Sequence, residues 1–190
     1  MLKNTLKFTV TILAITAAAA HAEVTPNQDD GSVYALVGQQ TGAGQLLSGK
    51  AFTAVEIGAR ARGAEEPGRF KYMYEIFVSS SNSRTGESQV SFSPGVAASV
   101  FSVGYAPGLC YLTPYLNICP HGVISAVNIS EPSNSFGFLS IGYGLELEKV
   151  VGSWQILAKA TKSEFSQKTN DKREWGGFRT ISVGAGYILK

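Results

Sequence analysis

The chain is poor in charge, histidine, cysteine and helical pattern, and each shortage closes off a class of function. Only 16% of its 190 residues are charged, against a usual ~25%, too few for a disordered tail or a surface clad entirely in solvated side chains. Sixteen Lys and Arg stand against 14 Asp and Glu, and the two surplus cations, Lys3 and Lys7, lie in an N-terminal segment without an acid. The remainder is neutral, so the basic footprint of a nucleic-acid-binding protein is missing and no nucleic-acid partner is expected. Beyond His21 the only histidine is His121, which any imidazole-based chemistry would have to use. Cys110 and Cys119 are the only cysteines; with His121 they make at most three metal ligands and lack the paired spacing of a structural zinc site. After the first 22 residues no stretch of a dozen repeats with a period of 3.6, so helix is at most a minor component.

What is present begins with an export signal. Residues 1–7 carry two lysines, 8–20 are apolar or small, and Ala20-His21-Ala22 has the A-x-A form of a cleavage site. The apolar part is shorter than the ~20 residues of a membrane-spanning helix. The expected organisation is a cleaved signal over 1–22, a short extension over 23–31 and one domain over 32–190. Export would bring Cys110 and Cys119 into an oxidising compartment, where they are expected to pair.

Period-2 alternation recurs along the rest of the chain. Phe70, Tyr72, Tyr74, Ile76 and Val78 share one face against Lys71, Met73, Glu75, Phe77 and Ser79. Leu139, Ile141, Tyr143, Leu145 and Leu147 repeat the pattern, as do Ile181, Val183, Ala185, Tyr187 and Leu189. Strands are predicted over 32–39, 50–62, 69–80, 90–104, 122–129, 136–148, 153–163 and 175–189. Polar, glycine- or serine-rich loops are expected over 40–49, 81–89 and 164–174 at one rim. Tighter links are expected at the other, apart from an irregular, cysteine-containing stretch over 105–121.

An antiparallel sheet of eight such strands loses its edges by closing into an up-and-down barrel. The non-apolar faces hold Gly, Ser, Thr and a small charge-balanced set: Glu56, Glu75, Glu146 and Glu148 against Arg60, Arg69, Lys71 and Lys159. A water-exposed wall would carry far more charge, whereas a barrel interior needs such charges in matching numbers. The apolar faces mix aliphatic residues with Phe70, Tyr72, Tyr74, Tyr143, Trp154 and Tyr187, as lipid-facing walls with aromatic girdles do. The fold class expected is therefore all-β, a transmembrane eight-stranded antiparallel up-and-down β-barrel. Most of its strands reach the ~9–11 residues needed to cross a bilayer.

This arrangement over 32–189 resembles the small eight-stranded bacterial outer-membrane barrels of the outer-membrane protein X and A transmembrane-domain type. The final strand, Ser182-Val183-Gly184-Ala185-Gly186-Tyr187-Ile188-Leu189, is similar to their C-terminal assembly signal, departing from it by ending in Lys190 rather than an aromatic residue. The resemblance implies a cell outer-membrane location, contact with outer-membrane lipid and lipopolysaccharide, insertion by the barrel-assembly machinery, a monomeric state, and a structural or surface-interaction role carried by the loops.

No catalytic residue, cofactor or metal is expected. His121 reads as a turn or rim residue, and Ser125, four residues on in an extended chain, is over ~12 Å away. Cys110 and Cys119 read as a staple on a small apolar turn bearing Tyr111 and Tyr115. The run over 168–174 is mixed in sign and reads as a solvated loop tip, with contact to lipopolysaccharide phosphates as the alternative. Two other readings stay open: a soluble periplasmic or secreted barrel with the apolar faces inward around a ligand, and an envelope enzyme acting on lipid.

Overall fold

The computed structural model describes residues 30–47, 51–64, 70–83, 98–130, 135–169 and 172–189. The expected signal over 1–22, most of the extension and Arg69 lie outside the described residues. Eight strands are present: β1 (Asp30–Ala43), β2 (Ala51–Ala64), β3 (Phe70–Ser83), β4 (Ser99–Tyr111), β5 (Asn117–Ser130), β6 (Ser135–Val151), β7 (Trp154–Thr169) and β8 (Lys172–Leu189). One short helical turn, α1 (Gly44–Leu47), follows β1. Each strand pairs antiparallel with the next, and β8 pairs with β1 to close the barrel.

The stagger of that closure follows from the register. Stepping across partners from Val33 leads through Ala59, Ile76, Tyr105, Ile124, Ile141, Glu164 and Gly177 and returns to Ala43, ten residues further along β1. Strands in such a barrel must tilt steeply, and its interior is only wide enough to be filled by side chains.

The alternating rows point as the transmembrane reading requires. Val33, Ile57, Tyr74, Ile76, Val103, Ile124, Leu139, Tyr143 and Ile181 stand exposed on the outer wall, while Arg60, Glu75, Glu146, Glu148 and Lys159 are buried in the lumen. A soluble barrel cradling an apolar ligand needs the opposite orientation.

Two segments differ from the sequence expectation. The fourth strand, expected over 90–104, runs over Ser99–Tyr111, and the fifth begins at Asn117 instead of 122. The irregular link over 105–121 is thus a hairpin with a short turn at 112–116. Pro107 and Pro120 sit on the outer row within gaps in the β4–β5 ladder, between Tyr105↔Ile124, Gly108↔His121 and Tyr111↔Ile118. A residue without an N–H is tolerated where its ladder bond is already missing. The loop expected over 164–174 is likewise almost all strand, paired from Glu164↔Gly177 to Thr169↔Lys172. Its polar residues made it look like a loop, yet a ladder that projects beyond the apolar band can be polar on both faces. At the opposite rim Gly152 takes φ 63° in the tight β6–β7 turn, a conformation open to glycine at little cost.

Candidate functional site

The lumen is built in layers. Nearest the rim where β1 starts and β8 ends, hereafter the terminal rim, Met73, Leu112 and the disulfide between Cys110 and Cys119 form a buried apolar plug. The two cysteines face each other across β4 and β5 beside the second ladder gap, so the covalent bond crosses where backbone hydrogen bonds are lacking. Thr113 caps the turn: its Oγ1 accepts from the Leu116 amide at 2.9 Å, and Tyr115 at the tip is 73% exposed. Replacing both cysteines with serine is expected to lower stability by roughly 2–3 kcal/mol, the entropy of closing so short a loop. The change should appear as a lower urea midpoint with the barrel still assembled, and an unchanged midpoint would refute a stapling role.

Above this plug lies the charge network. Arg60 on β2 donates to Glu75 on β3 at 2.7 Å and, across the lumen, to Glu146 at 2.5 Å and Glu148 at 3.1 Å on β6. Arg62 reaches Glu148 at 2.8 Å, and Asn117 donates to the same carboxylate at 3.1 Å. Lys159 on β7 bridges Glu56 at 2.8 Å and Glu75. Tyr34 donates to Glu56 at 3.0 Å, and the Arg60 and Lys159 cations lie 5.2 and 5.6 Å from its ring centroid. Buried charges persist only when paired and hydrogen-bonded, and this web spans β1, β2, β3, β5, β6 and β7.

Of the residues singled out from sequence, Glu56, Arg60, Glu75, Glu146, Glu148 and Lys159 converge here. Lys71 is buried on the same inward row as Glu75, nearer the terminal rim. The sequence reading missed Arg62, Tyr34 and Asn117. Arg62 was accessible to it, since it shares the inward row of Glu56 and Arg60 at a spacing of two. Tyr34 and Asn117 gave no such signal, because a lone polar or aromatic residue acquires an ionic partner only through closure.

His121 is not a rim residue. It lies on the inner row of β5, 5% exposed, with Nδ1 3.1 Å from the Cys119 carbonyl. Among the described residues its Nε2 has no hydrogen-bond partner, so it makes no nucleophile–base contact with a serine. The sequence misled because the register around Pro120 could not be fixed without the β5–β6 pairing.

The outer mouth is closed by a second apolar plug of Leu47, Phe52, Ala98, Val100, Val127, Ile129, Phe165 and Phe178, with Phe138 packed against it. Leu47 is brought inward by α1, which starts at Gly44 with φ 79°. Between this plug and the charge web a cavity of about 50 Å3 remains, where hydroxyls such as Ser102, Ser125 and Ser182 meet apolar side chains such as Leu36, Phe77 and Val123. Among the described residues the lumen is therefore filled or capped along its length.

On the outer wall Phe70, Tyr72, Tyr74, Tyr143, Trp154 and Tyr187 are all exposed. Trp154 and Tyr187 pair edge to face at 5.3 Å, and Phe70 packs on Tyr111 at 5.1 Å, both near the terminal rim. Tyr74 and Tyr105 stack at 6.5 Å further up the wall.

No family model matches the sequence, and no curated protein does. Among solved structures, the attachment invasion locus protein Ail of Yersinia pestis, in complex with the heparin analogue sucrose octasulfate, aligns with a TM-score of 0.53 at 13% identity, over 85% of this chain and 99% of its own. Neisserial surface protein A aligns with a TM-score of 0.51 at 12% identity, over 83% of this chain and 96% of its own. The likeness is one of fold: the chain is a closed eight-stranded antiparallel barrel of the kind found in small outer-membrane proteins.

Proposed function

We propose that the chain is an outer-membrane β-barrel whose role is structural or surface-interacting, performed by its outer rim without catalysis. The observation that carries this reading is the inversion of the usual protein pattern: exposed Val33, Ile57, Ile76, Ile141 and Ile181 on the wall, and buried ion pairs within. Exposed apolar area on this scale has no place in water, and in a bilayer it is matched by lipid. The aromatic residues near the terminal rim fit one lipid–water interface. β1 starts and β8 ends at that rim, at Asp30 and Leu189; by the usual orientation of bacterial barrels it faces the periplasm, leaving α1 and the extended β7–β8 hairpin outside. The names of the two structural neighbours, an attachment invasion locus protein and a surface protein, accord with a surface role. His121, held against a backbone carbonyl inside the wall, gives lipid chemistry no base at either rim.

The reading extends to processing: residues 1–22 are removed on export, the barrel-assembly machinery inserts the remainder, and the barrel works as a monomer surrounded by lipid and lipopolysaccharide. Cells expressing the full chain are fractionated, and the membrane fraction is run on gels with and without boiling. The expected result is outer-membrane retention and a band whose mobility changes on heating, as an SDS-resistant closed barrel gives. A soluble product without a shift would overturn the proposal.

A further inference from the structure

The outer wall changes character abruptly on β7 and β8. Reading outward from the terminal rim, β8 presents Leu189, Tyr187, Ala185, Val183 and Ile181 and then Arg179; β7 presents Trp154, Ile156, Ala158 and Ala160 and then Lys162. The register sets Lys162 and Arg179 directly side by side. Like charges opposite one another on neighbouring strands are unfavourable on their own account. Lys162 has a partner in Glu164 at 2.7 Å, while Arg179 has no carboxylate partner among the described residues. A cation pair of this kind, at the upper edge of an apolar band, is placed to receive an anion that lies at the same depth.

Immediately above Arg179 the wall carries no long side chain. Gly177 is the next outward residue on β8, Ala43 lies beside it on β1, and a bridge joins Gly44 to Gly176. These residues floor a groove of about 130 Å3, with Lys162 and Glu164 on one side and Trp175 at its top. Trp175 is 53% exposed, and Arg173 stacks near it at 5.9 Å from the ring centroid. An exposed indole next to a backbone floor offers a flat apolar face sized for a sugar ring. Adjacent ammonium and guanidinium groups suit a phosphate, the guanidinium through paired hydrogen bonds.

We propose that this groove binds the phosphorylated sugar headgroup of a glycolipid in the surrounding leaflet, with Lys162 and Arg179 on the phosphate and Trp175 against the ring. The inference rests on the membrane reading above, because it is the position of the groove at the edge of the apolar band that selects a lipid over a free sugar. The sequence reading placed the mixed-sign run over 168–174 at a solvated loop tip and did not single out Lys162 or Arg179. The cations of this site sit lower, on paired strand positions that the fold brings together.

The test uses protein purified in detergent from the outer membranes of cells expressing the full chain, titrated with bisphosphorylated lipid A, dephosphorylated lipid A, glucosamine 1-phosphate and sucrose octasulfate. Binding of the phosphorylated lipid is expected to weaken by at least about tenfold in the Lys162→Ala/Arg179→Ala double variant, to weaken in Trp175→Ala, and to strengthen in Glu164→Gln. A gain in Glu164→Gln cannot come from a folding defect. Equal binding of the dephosphorylated lipid, or variants indistinguishable from the parent, would overturn the site. Equal or tighter binding of the soluble anionic sugars would overturn the lipid assignment. The heat-dependent band shift is scored on the same samples: a shifted parent that ignores the phosphate sinks this proposal alone, whereas an unshifted parent sinks the membrane reading beneath it.

Discussion

Replacing Arg60 with methionine is expected to cost about 3–5 kcal/mol of barrel stability, the typical cost of removing one partner from a buried ion pair. The guanidinium is fully buried and contacts Glu75, Glu146 and Glu148. Without it Glu146 loses its only ion-pair partner among the described residues, while Glu75 keeps Lys159 and Glu148 keeps Arg62. The measurement is the urea midpoint of the boiling-sensitive folded band. Changing Glu146 to methionine as well removes the stranded carboxylate, so the Arg60→Met/Glu146→Met pair should recover part of the loss. A single variant as stable as the parent, or a double variant worse than the sum of its parts, would show that the web does not hold the barrel closed.

Ile76→Arg is the complementary expectation for the outer wall. Ile76 is 63% exposed and sits in the run Phe70, Tyr72, Tyr74, Ile76, Val78, close to the middle of the apolar band. An arginine near the bilayer midplane of such a barrel costs about 2–4 kcal/mol. In water the same exposed position would tolerate the change within about 0.5 kcal/mol. Refolding into phospholipid vesicles followed by urea titration separates the two cases. A neutral effect would remove lipid from the outer wall, whatever the fate of the loops.

Each expectation turns on a residue whose row was legible before its partners were. Ile76 and Arg60 could be assigned to opposite sides of the wall from alternation alone, because successive side chains on a strand must point to opposite faces. The same stereochemistry placed Glu56, Glu75, Glu146, Glu148 and Lys159 on the inward rows. Alternation fails where a strand contains prolines, which is why β4 and β5 were misplaced around Pro107 and Pro120 and why His121 was taken for a rim residue. It fails again where both faces are polar, as beyond Phe165 on β7, where a projecting ladder carries the composition of a loop.

The sequence by itself determined strand content, the number of strands, the inward and outward rows and the approximate balance of buried charge, since these follow from local periodicity and from the high cost of unpaired charge in a low-dielectric interior. Only the tertiary structure decided the ten-residue stagger, and with it which residues meet. Arg60 and Glu146 are 86 positions apart, on strands that share no ladder, and Lys162 and Arg179 become neighbours only through the β7–β8 register. Those contacts depend on how the sheet closes on itself, a single global choice that no local pattern in the chain encodes.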